Sequence, residues 1–306
     1  MTGFGLGVLP GTSMQEAAEI VMGESGVLPC LPQLPQRGLG SDAVGRTAGL
    51  LEAVNVDRGP RSWQLTPRPQ LLTRRTWDRM ERDLDEIQES WGESVPQVKT
   101  QIVGPFSLAA AVELPNGHRV LTDPGAFRDL NEALHLGLEE HVAELKRRFH
   151  GEVKVQLDEP LLGRVLFGRL RGTTDFETIR AVPREVTFEI LAAYKADFLR
   201  LETPLWEIAT AAATVLVDFA GLGSNENLEG LGTHLEAGRR VGLGLTPGDP
   251  RASAIEIARH LDHLGLSRDY LTTDVDVFPT QVRDAPRDLA FATRLAEILE
   301  RDAGDL

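Results

Sequence analysis

Cysteine is almost absent from this sequence, and its scarcity limits the chemistry of the protein. Cys30 is the one cysteine among the 306 residues. No intrachain disulfide can form, so we expect a protein of a reducing compartment, the cytoplasm. A metal site that takes two thiolates from one chain is excluded as well.

Positive charge and long apolar runs are also scarce. The formal net charge is −14, with 32 Lys and Arg residues against 46 Asp and Glu residues. Nucleic acid and anionic membrane surfaces both attract positively charged proteins, so we expect neither as a partner. The opening segment MTGFGLGVLP has no basic leader, and no apolar run reaches the roughly 18 residues of a membrane span. A small molecule is the expected partner.

What the sequence does contain is a regular alternation of strand-like and helix-like segments. The patterns predict eight strands, at residues 2–8, 62–66, 98–104, 153–157, 197–202, 214–219, 240–245 and 270–276. Helical patterns separate most of them, at residues 13–22, 42–54, 76–92, 124–149, 183–196, 205–212, 227–239, 252–264 and 286–301. This order predicts an α/β protein, a single (β/α)8 TIM-type barrel over residues 1–306, with an open doubly wound sheet as the alternative. Residues 28–40 are rich in proline and glycine and are predicted to form an irregular loop.

The segment EVKVQLDEPLL, at residues 152–162, predicts where a ligand binds. Lys154 and Gln156 alternate with apolar residues, as in a strand, and Asp158 and Glu159 follow directly. In a parallel barrel, ligands bind at the carboxyl ends of the strands. The two carboxylates therefore either face a ligand or cap a loop or the next helix.

Three motifs resemble the catalytic half of cobalamin-independent methionine synthase. VKTQIVGPFSLA (98–109) and VKVQLDEPLL (153–162) resemble strands of that family that end in Thr-Gly-Pro and in Asp-Glu-Pro. GLGVLPGT (5–12) resembles its first-strand motif Gly-Ser-Phe-Pro-x-Thr, with Gly7 retained and Val8 in place of serine. The resemblance covers nearly the whole chain, more weakly after residue 195, and implies the barrel that is shared with uroporphyrinogen decarboxylase.

The chemistry of that family is methyl transfer from a methylated folate to homocysteine, whose thiol is activated by zinc. The family's zinc ligands are a His-x-Cys pair, a glutamate and a second cysteine. Matched strand by strand, they fall on Arg200, Glu202, Asp218 and about Val275. An arginine cannot deprotonate to become a ligand, and the only cysteine is elsewhere. The sequence therefore predicts no zinc and no cofactor.

Two further expectations concern charged residues near the predicted site. Arg200 is expected to pair with Glu202 or Asp218, because residues two apart on a strand share a face. Arg37, in the 28–40 loop, is expected either near a substrate carboxylate or as a solvated loop arginine. The carboxylates of Glu202, Asp218 and Asp274 or Asp276 offer an alternative oxygen site for a harder metal ion.

The resemblance also implies the predicted function and its residues. Asp158 matches the family's aspartate that holds the amino group of homocysteine. The predicted substrate-binding residues are Gly7, Asp158, Glu159, Arg200, Glu202 and Asp218. The predicted protein is a methionine synthase homologue with a degenerate zinc site that binds an amino-acid-like or folate-like ligand. The alternatives are a non-catalytic barrel that binds a small metabolite or a partner protein, and a metal-free, decarboxylase-like tetrapyrrole enzyme.

Overall fold

The fold combines strands and helices in alternation. The computed structural model describes residues 1–172 and 178–306. In chain order, the strands β1 to β9 of this part are Asn55–Arg58, Trp63–Thr66, Gln97–Val103, Val112–Glu113, Glu152–Glu159, Phe198–Leu201, Thr214–Asp218, Arg240–Leu245 and Val275–Pro279. The helices α1 to α11 are Met14–Glu24, Ala43–Ala48, Leu71–Trp91, Pro105–Ala111, Pro124–Phe149, Leu162–Leu166, Arg184–Ala193, Asn225–Glu236, Pro250–His263, Tyr270–Thr273 and Ala285–Asp302.

Six strands form one curled parallel sheet, in the order β3-β5-β6-β7-β8-β9. Helices connect successive strands except β6 and β7, between which the chain has only a 3₁₀ turn, and these crossovers allow parallel pairing. All six carboxyl ends therefore lie at the same edge of the sheet, where ligands bind in folds of this class. No helix in the described ranges is long and apolar enough to cross a membrane.

Two short extended segments, residues 2–8 and 29–33, pair with the two edge strands of this sheet. The first segment bonds to β9, the second bonds to β3, and the two segments bond to each other. The connecting backbone hydrogen bonds join Phe4 N to Val277 O at 3.1 Å, Gln33 N to Gly7 O at 2.8 Å, and Leu31 N to Lys99 O at 2.8 Å.

The predicted strand at residues 62–66 is present as β2, but it has a different position. It belongs to a separate three-stranded sheet, in the order β1-β2-β4. Its predicted place beside β3 is taken by residues 29–33, from the region predicted to be an irregular loop. The prolines there are tolerated because the bonds to β3 use the carbonyl of Pro29 and the N–H of Leu31.

The last predicted strand is shifted toward the C-terminus. Residues Tyr270–Thr273 form a helical turn, and the strand runs over Val275–Pro279. The β-branched and aromatic residues of YLTT favour a strand, but Leu271 is buried in the hydrophobic core as part of a helical turn. Val275 is the residue that was matched to the family's last zinc ligand. It lies at the amino end of β9, and not at the carboxyl-end edge where a ligand-binding residue is expected.

Helix α5 shows how local sequence sets the element boundaries. Asp123 caps its start by accepting hydrogen bonds from the N–H groups of Gly125 and Ala126, both at 2.9 Å. Its end falls at His150, whose φ of 52° is in the left-handed region. Two other predicted helices are shorter than expected: α2 ends at Ala48, and residues 205–212 contain only the 3₁₀ turn Ala209–Ala211.

Aromatic side chains fill the space inside the curled sheet. Phe4 packs against Phe198 with ring centroids 4.9 Å apart and against Phe278 at 6.3 Å. The glycines of β8 make room for them, since a Cβ on Gly244 would lie 2.4 Å from the Phe278 ring. This apolar layer forms the floor beneath the polar residues at the strand ends.

Candidate functional site

Asp158 and Glu159 end β5 and point to opposite faces of the sheet. Side chains alternate along a strand, so Asp158 shares the inner face with Gln156. Across the sheet, Asp158 is directly paired with Val103 of β3 on one side and with Arg200 of β6 on the other. The inner carboxylate therefore lies at the strand edge where this fold class places ligands.

A chain of buried polar groups leads up to Asp158. Lys99 and Gln156 are both completely buried, and Lys99 Nζ donates a hydrogen bond to Gln156 Oε1 at 2.6 Å. The Gln156 Nε2 group then donates to Asp158 Oδ1 at 2.7 Å. Within residues 1–172 and 178–306, the Asp158 side chain accepts this hydrogen bond and no other, so it caps no backbone N–H group there.

The charge of Asp158 depends on its surroundings. Burial raises the pKa of Asp158 to about 6, and the Gln156 hydrogen bond, Lys99 and Arg200 offset part of that rise. The carboxylate is therefore mostly ionised at neutral pH, and one of its oxygens accepts no hydrogen bond from the described residues. A cation is the natural partner of such a group.

Arg200 lies beside Asp158 and provides a positive group. Of its two predicted partners it binds Asp218, with Nη1 donating to Asp218 Oδ1 at 2.7 Å. The guanidinium also lies over the Phe278 ring, 5.0 Å from the centroid. A guanidinium has five N–H donors, so most of those on Arg200 remain for a ligand.

Glu159 has the opposite environment, because its carboxylate anchors the start of α4. Its oxygens accept hydrogen bonds from the Phe106 N–H at 2.9 Å, the Ser107 N–H at 2.8 Å and the Ser107 hydroxyl at 2.6 Å. Burial raises the pKa of Glu159 to about 7, against the effect of these hydrogen bonds. Gly104 allows the close approach, since a Cβ there would lie 2.4 Å from Glu159 Oε1. Glu159 makes these contacts on the outer face of the sheet, so it is not part of the group of polar residues around Asp158 on the inner face.

Gly7 also lies at the carboxyl-end edge of the sheet, where only its backbone can make contacts. Its φ of +108° is one that glycine adopts readily, and a Cβ would lie 2.1 Å from Gln101 Nε2. Its carbonyl accepts the Gln33 N–H. Gly7 therefore shapes the edge and leaves room for the buried Gln101 amide.

Glu202 and Arg37 do not join this group. Glu202 follows the end of β6, is exposed, and makes no hydrogen bond with the described residues. Arg37 is half-buried, and its Nη1 pairs with Asp83 Oδ1 at 2.6 Å. Asp83 is fully buried and also binds Arg46 at 2.9 Å. Arg37 is therefore not a solvated loop arginine, and its expected place near a substrate carboxylate stays a prediction.

The residues at the matched zinc positions do not fit zinc. The Arg200 guanidinium stands where the family has its histidine, and Val275 lies at the wrong end of its strand. Over the described part of the chain, no three His, Cys, Asp or Glu side chains come together as metal ligands. The alternative oxygen site also fails, because Asp276 binds Arg240 at 2.8 Å near the amino end of β9.

Lys99 and Gln156 were not among the residues predicted from the sequence. Both follow the strand alternation, and alternating polar residues ordinarily indicate a solvent-facing side. They are buried because the sheet curls and residues 2–8 pack against its inner face. A signal was present, since Lys99 and Lys154, like Gln101 and Gln156, occupy equivalent levels of two strands whose motifs had already been matched to one family.

Neither a protein-family model nor a curated protein matches this chain. Among solved structures, a methyltransferase from Methanosarcina mazei is similar, with a TM-score of 0.48 and 16% identity over 94% of this chain and 84% of that chain. A dihydropteroate synthase from Anaplasma phagocytophilum, solved with 6-hydroxymethylpterin-monophosphate, has a TM-score of 0.33 and 13% identity over 99% of both chains. Similarities this distant assign no function.

Proposed function

We propose that this chain is a divergent relative of cobalamin-independent methionine synthase that binds an α-amino acid at the strand ends without zinc. The observation that carries the proposal is the inward carboxylate of Asp158, one oxygen of which accepts no hydrogen bond from the described residues, on a strand position paired directly with Arg200. A homocysteine-like or methionine-like ligand is the expected class. The folate-like ligand, the tetrapyrrole alternative and the single domain over residues 1–306 remain predictions.

The charges of the two residues match those of a zwitterion. Asp158 suits an α-ammonium group, since a hydrogen bond between charged partners is roughly twice as strong as a neutral one. Arg200 suits an α-carboxylate, which a guanidinium binds through two parallel N–H groups. Neighbouring parallel strands lie about 4.8 Å apart, so side chains from both strands can reach the two charged groups of one α-amino acid.

The barrel itself is part of this proposal. The six-stranded sheet and the extended segments at residues 2–8 and 29–33 together make eight members, and backbone hydrogen bonds link each to the next. We infer a closed ring of eight extended segments. Two of them, residues 2–8 and 29–33, are too irregular to count as regular strands. An experimental structure that leaves residues 29–33 unpaired from Lys99 would contradict the closure.

Whether the protein catalyses methyl transfer is a separate question. The family's reaction needs a thiolate held by zinc, and the part of this chain that the structure describes brings no set of zinc ligands together. Binding without zinc-dependent methyl transfer is therefore the function that we propose.

The test compares methionine with two analogues, each of which lacks one of its two charged groups. Calorimetry with methionine, with 3-(methylthio)propylamine and with 4-(methylthio)butanoate separates the ammonium from the carboxylate. Asp158→Asn should weaken binding of methionine and of the amine, and leave the acid unchanged. Arg200→Gln should weaken binding of methionine and of the acid, and leave the amine unchanged.

A matched control comes from the same strand. Glu152→Gln removes a carboxylate from the amino end of β5, where it pairs with Lys154, and should change none of the three affinities. Homocysteine should behave as methionine does. If wild-type protein binds neither amino acid, the proposed function is wrong.

A further inference from the structure

We propose that Lys99 and Gln156 are positioning residues for Asp158, acting together as an amide relay. Lys99 fixes which end of the Gln156 amide faces Asp158, and the amide then holds one carboxylate oxygen and leaves the other for a ligand. The relay joins two neighbouring strands on the inner face, since Lys99 lies on β3 and both Gln156 and Asp158 lie on β5. That it serves ligand binding rests on the proposed function, whereas its effect on the Asp158 carboxylate does not.

The first step is the orientation of the amide. A lysine ammonium donates hydrogen bonds and accepts none, so Gln156 must present its oxygen to Lys99. The observed contact is Nζ to Oε1 at 2.6 Å, fully buried. The NH₂ end of Gln156 is thereby turned toward Asp158 Oδ1 at 2.7 Å and the Leu6 carbonyl at 3.5 Å.

The second step is the isolation of Lys99. Gln156 is the one hydrogen-bond partner of its Nζ within the described residues, and the Phe4 ring lies 5.6 Å away. A buried amine that loses its only acceptor carries a substantial desolvation cost, so Lys99 holds the Gln156 oxygen firmly. Lys99 therefore sets the orientation of the Gln156 amide, whether or not a ligand is bound.

The third step is the effect on Asp158. Its charge is influenced by Lys99 of β3, by Arg200 of β6 and by the neighbouring Glu159, while Cys30 faces Lys99 from the other side. None of these four residues donates a hydrogen bond to the Asp158 carboxylate, whereas Gln156 does. Removing that donor should favour the protonated carboxyl group, which cannot bind an ammonium.

The test titrates Asp158 directly in the ligand-free protein by carbon-13 NMR of its carboxyl group. Gln156→Glu keeps the length of the side chain and an acceptor for Lys99, but it replaces the donor to Asp158 by a carboxylate. Gln156→Met removes both functions in a side chain of similar size. Both variants should titrate at a higher pH than wild type, and Gln156→Glu should show the larger shift.

Lys99→Met tests the first member of the relay. It should raise the titration point of Asp158 as well, and the double variant Lys99→Met with Gln156→Met should shift it by less than the two single shifts added together. Lys154→Met is the matched control, because Lys154 lies on β5 and pairs with Glu152 and Asp197. An unchanged Asp158 titration in both Gln156 variants would overturn the relay.

Methionine affinity gives the second readout. At pH 8, Gln156→Met should bind methionine roughly fivefold to tenfold more weakly than wild type, as for one lost hydrogen bond. A shifted titration in a protein that binds no methionine would support the relay and refute the proposed function. Methionine binding with an unshifted titration would support the proposed function and refute the relay.

Discussion

The inner and outer sides of the end of β5 carry the same chemical group in opposite surroundings. On the outer side, Glu159 accepts three hydrogen bonds from the start of α4. On the inner side, Asp158 accepts one from a buried amide, and its other oxygen accepts none from residues 1–172 and 178–306. Adjacent carboxylates can therefore divide the two roles, one capping a helix and one facing a ligand. Glu159 is buried and Asp158 is half-buried, and the number of donors that each carboxylate satisfies also distinguishes them.

The largest expected effect of this division is on stability. Glu159→Ala leaves three buried donors without an acceptor, and each unsatisfied group costs about 1–3 kcal/mol, so the free energy of unfolding should fall by at least about 3 kcal/mol. Asp158→Ala leaves one donor and should cost about 1 kcal/mol. Urea denaturation of both variants measures the difference, and equal losses would contradict it.

The pH dependence of stability should follow Glu159 next. Its pKa is about 7 in the folded protein and 4.5 as an ordinary carboxyl group, so between these values the folded state holds more protons than the unfolded state. The contribution of Glu159 is fully present below pH 4.5 and is lost as the pH rises through 7. Relative to Glu159→Gln, wild-type protein should lose up to about 3 kcal/mol over this window.

Denaturation of wild type and Glu159→Gln at matched pH values checks this sign. The other titrating groups are common to both proteins, so the difference between the two curves isolates Glu159. A difference that stays flat, or that grows in favour of wild type as the pH rises, would refute it.

A smaller effect is expected on the pH dependence of ligand binding through Asp158. Its pKa is about 6, and only the ionised form suits an ammonium. Methionine affinity should be constant between pH 7 and pH 8, where the ligand keeps its ammonium group, and fall about tenfold for each pH unit below 6. Calorimetry across this range is the measurement. Affinity that rises on acidification would assign ligand binding to a different group.

Zinc should have the smallest effect, namely none. The matched ligand positions hold an arginine and a residue at the wrong strand end, so chelators and added zinc should leave methionine affinity unchanged. Elemental analysis should give far less than one zinc per chain in protein purified without chelators. One zinc per chain, or zinc-dependent methyl transfer to homocysteine, would contradict this account.

Much of the sheet was predictable because buried parallel strands leave a strong pattern. β3, β5, β7 and β8 lie close to their predicted ranges. The errors fall where the pattern is short, as in YLTT, or where pairing is irregular, as in residues 29–33. Regular alternation over many residues is informative, whereas a few β-branched residues or prolines leave the choice to tertiary contacts.

The candidate site was predictable only in part. Asp158 was predicted from its place at a strand end, and Arg200 and Asp218 from matching the strands to the family that the sequence resembles; the structure brings the three residues to one edge. The different role of Glu159 depends on α4 packing across from β5, which no local pattern encodes. Lys99 and Gln156 were missed because alternation cannot distinguish a solvated face from a closed interior.

The central claim is that the two adjacent carboxylates have separate roles, and one comparison tests it directly. Asp158→Asn and Glu159→Gln each remove one charge from the same strand end without a large change in shape. Calorimetry with methionine at pH 8 should show binding weakened by about 1.5–3 kcal/mol in Asp158→Asn and unchanged in folded Glu159→Gln. Unchanged affinity in Asp158→Asn, or equal weakening in both variants, would contradict the claim.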